Sequence, residues 1–353
     1  MSIEQQRKLY LDGWRGLSIA LVLAGHFTAL PSARWGALGV SFFFALSGRL
    51  MGEILFEQRF PVGPFLLRRF SRVWPVLLVF VVVTLALSRL TAFWGEPLTL
   101  SAALSVLTFT FGYARLWGIG GEQIGHVWSL CIEEHSYLVL LIVGIMTIRD
   151  IRKASMLLVV MTIAAICDGL YRSLIMGGDY YAVYWLTDPM LHFITVPVLT
   201  YLWRDKITDR AGRFGPYASI TLMILAVALA YHRIPAYVTQ TLMPFVLAGA
   251  VVLLPIAARS LLVVLESRLF TLIGVWSYSI YIWQQPFYNL SHGQPDTSRF
   301  GLLLLATGTG IVSYYVVEQP ARRFLNRRYA SRKNVRPVEP LTPMPAARSS
   351  VTP

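Results

Sequence analysis

Inside stretches that are otherwise apolar, this chain carries His26, Arg49, Glu133, Glu134, His135, Asp168, Asp188 and His192. An ionisable side chain at the centre of a hydrocarbon-embedded helix costs about 2.5–3.5 kcal/mol on insertion scales, so each is a candidate functional residue. Imidazole and carboxylate are the pair that takes a proton from a hydroxyl nucleophile and holds it. A second set is cationic: Arg15, Arg68, Arg69 and Arg72, with Arg49 set deeper in its own run. Arg69 and Arg72 are three apart, so on a helix they share a face and can close on one anion. Guanidinium forks match phosphate oxygens in geometry. Arg49 needs a buried anion, a carboxylate such as Glu53 at i+4, or a water-filled cavity.

Membrane helices must position these groups. Of 353 residues, 56% are apolar and 14% charged, against roughly a quarter charged in ordinary globular chains. That composition excludes a soluble enzyme, a disordered chain and a secreted disulfide scaffold. A span needs ~20 mostly apolar residues. Such runs lie at 14–31, 37–56, 73–93, 127–148, 156–175, 184–203, 215–231, 238–257, 269–288 and 300–317. The expected fold is therefore all-α and polytopic, with about ten transmembrane helices. A shorter run at 98–113, richer in Ser and Thr, is read as not crossing. On that reading about 25 of the 31 Lys and Arg fall on the inner side and both termini are cytoplasmic. Residues 1–325 form the expected membrane domain. Residues 326–353 read as a basic, Pro/Ser-rich disordered tail lying on an anionic inner leaflet, with no nucleic-acid role. Met1–Tyr10 is polar and no cleavable signal is visible. Cys131 and Cys167 read as small buried apolar residues. There is no clustered Cys/His metal motif, P-loop or dinucleotide fingerprint, so no metal is expected.

Helical rise places the candidates in depth. His26 lies ~8 Å below the outer end of its span, and Glu133, Asp168 and His192 roughly 9–12 Å, so four spans are expected to bring ionisable groups to one level. Arg15 and His26 are separated by ~16 Å along one helix. A long donor with anionic groups at one end and its chemistry at the other would bridge them. His126 reads as an interfacial residue, with an acceptor contact left open, and the aromatic residues of 276–288 as an interfacial belt that also packs helices.

Several segments resemble the acyltransferase-3 family of integral membrane O-acyltransferases. They are Leu11–Phe27, Gly39–Leu50, Leu66–Pro75, His126–Leu138, Trp276–Pro286 and Glu318–Phe324, in the family's order. Arg15 and His26 match its R-x10-H pattern, Arg69 and Arg72 its R-x-x-R, and Glu133 the first acid of its WSLxxE segment. The resemblance implies a ten-span domain of the bacterial inner membrane. It also implies transfer of an acyl group, acetyl by default, from cytoplasmic acyl-CoA to a hydroxyl of a carbohydrate or glycolipid at the outer face. No tightly bound cofactor is implied, and the chain resembles stand-alone members without a fused SGNH-type domain. The family usually has histidine where Gln284 stands, glutamine where His135 stands, and phenylalanine where Arg49 and Ser136 stand. Arg49 leaves an acidic acyl group such as succinyl conceivable.

The expected mechanism has neutral His26 accept the proton of the acceptor hydroxyl while Glu133 orients the ring and stabilises the imidazolium. Glu134, ~100° round the same helix, reads as a structural partner. Ser129, one turn from Glu133, is expected to place the acceptor together with Trp128. Arg15, Arg69 and Arg72, with Arg68 and Arg49 beside them, are expected to hold the CoA phosphates. A covalent acyl-enzyme through Ser47 or Ser129 is the mechanistic rival, although no G-x-S-x-G elbow is present. The competing function class is a transporter or flippase of lipid-linked glycans. Such proteins usually show half-to-half symmetry, and none is evident here.

Overall fold

A computed structural model of the chain describes residues 3–28, 30, 33–90, 96–178, 183–293 and 298–332. The first part holds α1 (Ile3–Phe27), α2 (Trp35–Met51), and a π-helical segment, Gly52–Glu57, that prolongs α2. Next come α3 (Val62–Leu90) and two short helices, α4 (Leu100–Leu107) and α5 (Phe111–Ala114). A 3-10 stretch, Glu122–Val127, leads into α6 (Trp128–Met146), followed by α7 (Ile151–Leu174). After these stand α8 (Thr187–Met190), α9 (His192–Leu202), α10 (Arg204–Ala211), α11 (Gly215–Leu229) and α12 (Ala236–Val252). The last group is α13 (Arg259–Leu265), α14 (Arg268–Gly293), α15 (Arg299–Ser313), a second π-helical segment at Tyr314–Glu318, and α16 (Gln319–Arg332). Among the described residues the only β pairing is an isolated bridge between Ala33 and Tyr231.

The all-α polytopic expectation holds. Six helical stretches are long and apolar enough to cross a membrane: Trp35–Glu57, Val62–Leu90, Glu122–Met146, Ile151–Leu174, Arg204–Leu229 and Arg299–Arg327. The pair α13 and α14, bent by 52°, makes a seventh if it is one span. The remaining expected runs are helical but shorter or more polar. α12 has 17 residues and α9 only 11. The run at 184–203 is not one helix, because the backbone is extended at Leu186 and α8 and α9 follow as separate pieces. Residues 98–113 hold only α4 and α5, which at ~1.5 Å per residue fall far short of ~30 Å of hydrocarbon. α16 runs through to Arg332, past the boundary expected at 325, and 333–353 lies outside the described residues.

Helix faces are sorted as lipid requires. On α7, Leu158, Thr162, Ala165 and Gly169 are buried, while Met156, Val160, Ile163 and Cys167 are exposed one turn after another. A continuous apolar stripe facing outward is what a bilayer solvates and water does not. Cys167 thus sits on the lipid-facing stripe rather than in the interior, whereas Cys131 is buried as expected.

The centre of the bundle is α1, which packs against α2 on one side and α14 on the other. Trp14 is fully buried, stacks on Phe42 with ring centroids 4.7 Å apart, and donates its indole N–H to the Phe42 carbonyl at 2.9 Å. The α1–α14 approach is set by glycine. A Cβ on Gly274 would lie 1.8 Å from the Asp12 carbonyl oxygen, and one on Gly16 2.0 Å from that of Phe270. Small residues at a helix crossing let two backbones touch, as membrane helix packing favours. Gly274→Ala is therefore expected to destabilise the purified protein by about 1–3 kcal/mol through overpacking. An unchanged detergent melting curve would show that the crossing tolerates a methyl group.

Candidate functional site

Two cavities lie along α1. The larger, about 810 Å³, is lined by His26 with residues from four other parts of the chain. α2 supplies Gly36, Ala37 and Val40. The Glu122–Val127 stretch and the start of α6 supply Glu122, His126 and Trp128. α14 supplies Tyr281, Gln285, Tyr288 and Asn289, and the loops Arg115 and Trp185. The smaller, about 260 Å³, is lined by Arg15, Arg69 and Arg72 together with Ser47, Ser129, Glu133, Tyr137 and Tyr278. Val40 and Tyr281 line both, so they form the septum between the two. Arg15 and His26 open into different cavities at the two levels that the rise of α1 dictates.

His26 is held by α14. Its Nδ1 is 2.5 Å from Gln284 Oε1, and its ring lies against Tyr288 with centroids 4.3 Å apart. The Gln284 amide nitrogen donates to Gln285 Oε1 at 3.4 Å, which leaves Oε1 as the acceptor for an Nδ1–H. The tautomer assigned by this network puts the lone pair on Nε2. Gly36 makes room for that nitrogen, since a Cβ there would stand 3.3 Å from it.

Glu133 does not orient His26. Its carboxylate lines the arginine cavity, 3.3 Å from Arg69 Nη2, and accepts from Ser47 Oγ at 2.6 Å and from the Tyr137 hydroxyl. The hydrogen-bond partner of Nδ1 is a neutral amide from a segment far along the chain. Glu134 is a structural partner as expected: it takes Arg69 Nε at 2.6 Å. Arg69 therefore bridges two acids, with its guanidinium 4.3 Å from the Tyr137 ring centroid. Arg15 is paired with Asp12 at 2.7 Å. Arg72 lines the same cavity and makes no hydrogen bond or ion pair among the described residues.

The other two expected phosphate ligands are elsewhere. Arg68 is exposed, its guanidinium over the Phe60 ring at 4.5 Å. Arg49 is buried and satisfied by the i+4 carboxylate, with Nη1 2.8 Å from Glu53 Oε2 and its guanidinium 5.2 Å from the Tyr201 centroid. Neither lines either of these two cavities. The expected level of four ionisable groups does not assemble either. Asp168 pairs with Arg172 at 2.9 Å, and Arg172 reaches on to Asp188 at 3.0 Å. His192 Nε2 is 2.9 Å from the Gln240 carbonyl oxygen. Equal depth on four helices does not make them face one another, and each of these groups found a nearer partner.

Trp128 and Ser129, adjacent in sequence, open into different cavities. Trp128 lines the His26 cavity and stacks on Trp185 at 5.6 Å and 8°, with the Arg115 guanidinium 4.1 Å from the Trp185 centroid. Ser129 faces the arginine cavity and shares a 2.6 Å hydrogen bond with the Tyr281 hydroxyl. Sequence reasoning gave no site role to Gln284, Tyr281, Tyr288 or Tyr137, and set His126 at the interface with an acceptor contact left open. One signal was present: Tyr281, Gln284, Gln285 and Tyr288 recur at helical spacing, a polar stripe on a helix otherwise fit for lipid.

The sequence profile of a family described as "Acyltransferase domain" matches residues 8–317. BcsY of Komagataeibacter xylinus, named as a membrane-bound transacylase, is 27% identical over 94% of this chain and 87% of its own length. The peptidoglycan O-acetyltransferase OatA of Listeria monocytogenes is 25% identical over 90% of this chain and 56% of its own. The O-acetyltransferase OatA of Staphylococcus aureus is 24% identical over 89% and 57%. The chain thus spans little more than half the length of the two OatA relatives. No solved structure matches it.

Proposed function

The chain belongs to the acyltransferase-domain family and is a multi-pass membrane acyltransferase, and from that premise we propose how its two cavities divide the reaction. The arginine cavity takes the phosphates of an acyl-CoA, and the His26 cavity takes a hydroxyl-bearing carbohydrate. The observation that carries this reading is the placement of an arginine-lined cavity and an imidazole-lined cavity on either side of a thin septum, with α1 contributing to both.

In the reaction the acceptor oxygen attacks the thioester carbonyl carbon, the C–S bond breaks, and His26 Nε2 takes the hydroxyl proton and passes it to the leaving thiolate. Gln284 fixes the ring orientation and tautomer. Glu133 and Glu134 hold Arg69 in place. Trp128 and Trp185 supply an apolar wall against which a sugar ring packs, and Glu122, Gln285 and Asn289 supply polar groups around it. The names of the relatives, among them an enzyme of peptidoglycan, support a polysaccharide acceptor.

Sealed membrane vesicles test both halves. Because CoA thioesters do not cross a bilayer, inside-out vesicles given [14C]acetyl-CoA and carrying peptidoglycan fragments in the lumen are expected to label the glycan. Right-side-out vesicles given the same donor outside are expected to stay unlabelled. Equal labelling from both orientations would refute the division by side, and no labelling in either would refute acyl-CoA as donor.

A further inference from the structure

We propose that His126 is a second catalytic group of this transferase: a neutral imidazole that donates a hydrogen bond to the thioester carbonyl oxygen as it becomes the oxyanion. The inference rests on the acyl-transfer reading above and adds to it a residue that the sequence placed at the membrane boundary.

Three observations carry it. His126 is 5% exposed and lines the same cavity as His26. Both of its ring nitrogens are buried, and neither makes a hydrogen bond of ordinary geometry among the described residues, the Ile282 backbone lying only in weak contact. Its orientation is set mainly by packing, edge to face against Phe80 at 5.6 Å and against Tyr281 at 5.3 Å. A buried polar group with no partner needs an explanation, and a ring locked by aromatic walls with its nitrogens uncommitted is preorganised for a ligand.

The location says which ligand atom. Tyr281 is the septum residue, and its hydroxyl is anchored 2.8 Å from the His126 carbonyl oxygen and 2.6 Å from Ser129 Oγ. An acyl arm passing from the arginine cavity toward His26 must part Tyr281 from Val40 and so meets the imidazole behind it. At that point the carbonyl carbon takes the acceptor oxygen and negative charge develops on the carbonyl oxygen. A preorganised donor aimed there lowers the barrier. The ring acts without net proton transfer: the hydroxyl proton goes to His26 and then to the thiolate, while His126 keeps its own. A ring with no ion pair among the described residues, walled by Phe80 and Tyr281, is most cheaply neutral, which suits a donor standing near a base that becomes cationic.

The test uses the full chain in lipid nanodiscs, with acetyl-CoA and soluble peptidoglycan fragments as probes. His126→Phe keeps the ring and removes both nitrogens. The expected result is a fall of about 100-fold in kcat, an unchanged acetyl-CoA KM, and a melting temperature equal to or above that of the parent. The last follows because an unsatisfied polar group has been removed. Loss of turnover with no loss of stability is a signature that a structural histidine does not give. His126→Gln, which restores a donor, is expected to recover much of the rate, and His126→Met, of similar length without a donor, is not. His126→Phe at the parental kcat would overturn the proposal. Should His126→Phe fail to fold, equal rates for the Gln and Met variants would overturn it as well. Failure of the parent chain itself to transfer acetyl would instead overturn the functional reading on which this one stands.

Discussion

His26→Ala is expected to abolish acyl transfer, lowering kcat by about 10²- to 10⁴-fold, the range that a positioned general base contributes. Binding of CoA should survive, because the arginines that face the other cavity belong to a different level of α1 and to α3. Calorimetric titration of CoA into the purified variant, beside its rate with acetyl-CoA and glycan, separates the two. One nitrogen of the ring decides the chemistry. Nδ1 is committed to Gln284, so only Nε2 can take a proton, and Gly36 leaves it the room. Gln284→Leu should therefore hurt by loss of orientation rather than loss of the base, lowering kcat about 10-fold, in line with one hydrogen bond to a group that becomes charged. A His26→Ala protein that turns over at the parental rate removes imidazole from the chemistry.

The vertical separation of Arg15 and His26 was legible in the sequence because it depends only on helical rise. Two residues on one helix need no tertiary information to be placed. Lipid exposure on α7 depends on which residues recur every turn, yet Cys167 was read as buried and stands on the outward stripe. Partner choice was not legible. Depth alone pairs Glu133 with His26, yet the carboxylate projects toward α3, and Gln284, far along the chain, occupies the place beside the ring. Depth fixes one coordinate of a side chain; the direction it faces depends on which helices pack together. Here that was set by close contacts such as Gly274 on Asp12 and Gly25 on Gly36, which bring α14 and α2 up to α1. His126 was misplaced for a related reason. The Glu122–Val127 stretch folds inward over the cavity as a 3-10 turn, so a residue at a span's edge by sequence became part of the interior. The 184–203 run read as one span because its length and composition suit one, but the backbone is extended at Leu186 and the chain divides the rest into α8 and α9.

The paired arginines of α3 are expected to fail in different ways, although their spacing suggests one shared task. Arg69 is the counter-charge for both Glu133 and Glu134, and its side chain is 16% exposed, with the two acids at 21% and 14%. Removing one member of a buried ion-pair cluster leaves the others without compensation, at about 3–5 kcal/mol. Arg69→Ala should thus lower the melting temperature and yield of the purified protein before any question of turnover arises. Arg69→Lys should recover only part, since an ammonium cannot present two parallel donors to two carboxylates. Arg72 makes no ion pair among the described residues and lines the cavity, with the carboxylates of Glu318 and Glu133 acting on it only at longer range, so its guanidinium can still close on an incoming anion. Losing one charge-assisted contact of about 1.5–3 kcal/mol in Arg72→Ala should raise the acetyl-CoA KM between about 10- and 100-fold, with kcat and melting temperature near the parental values. Initial rates over a donor titration, with acceptor held saturating, measure this directly. If Arg72→Ala changed only the acceptor constants, the phosphates would have to sit elsewhere. If Arg69→Ala melted normally and lost only donor affinity, the two acids would be partners of the substrate rather than of the arginine.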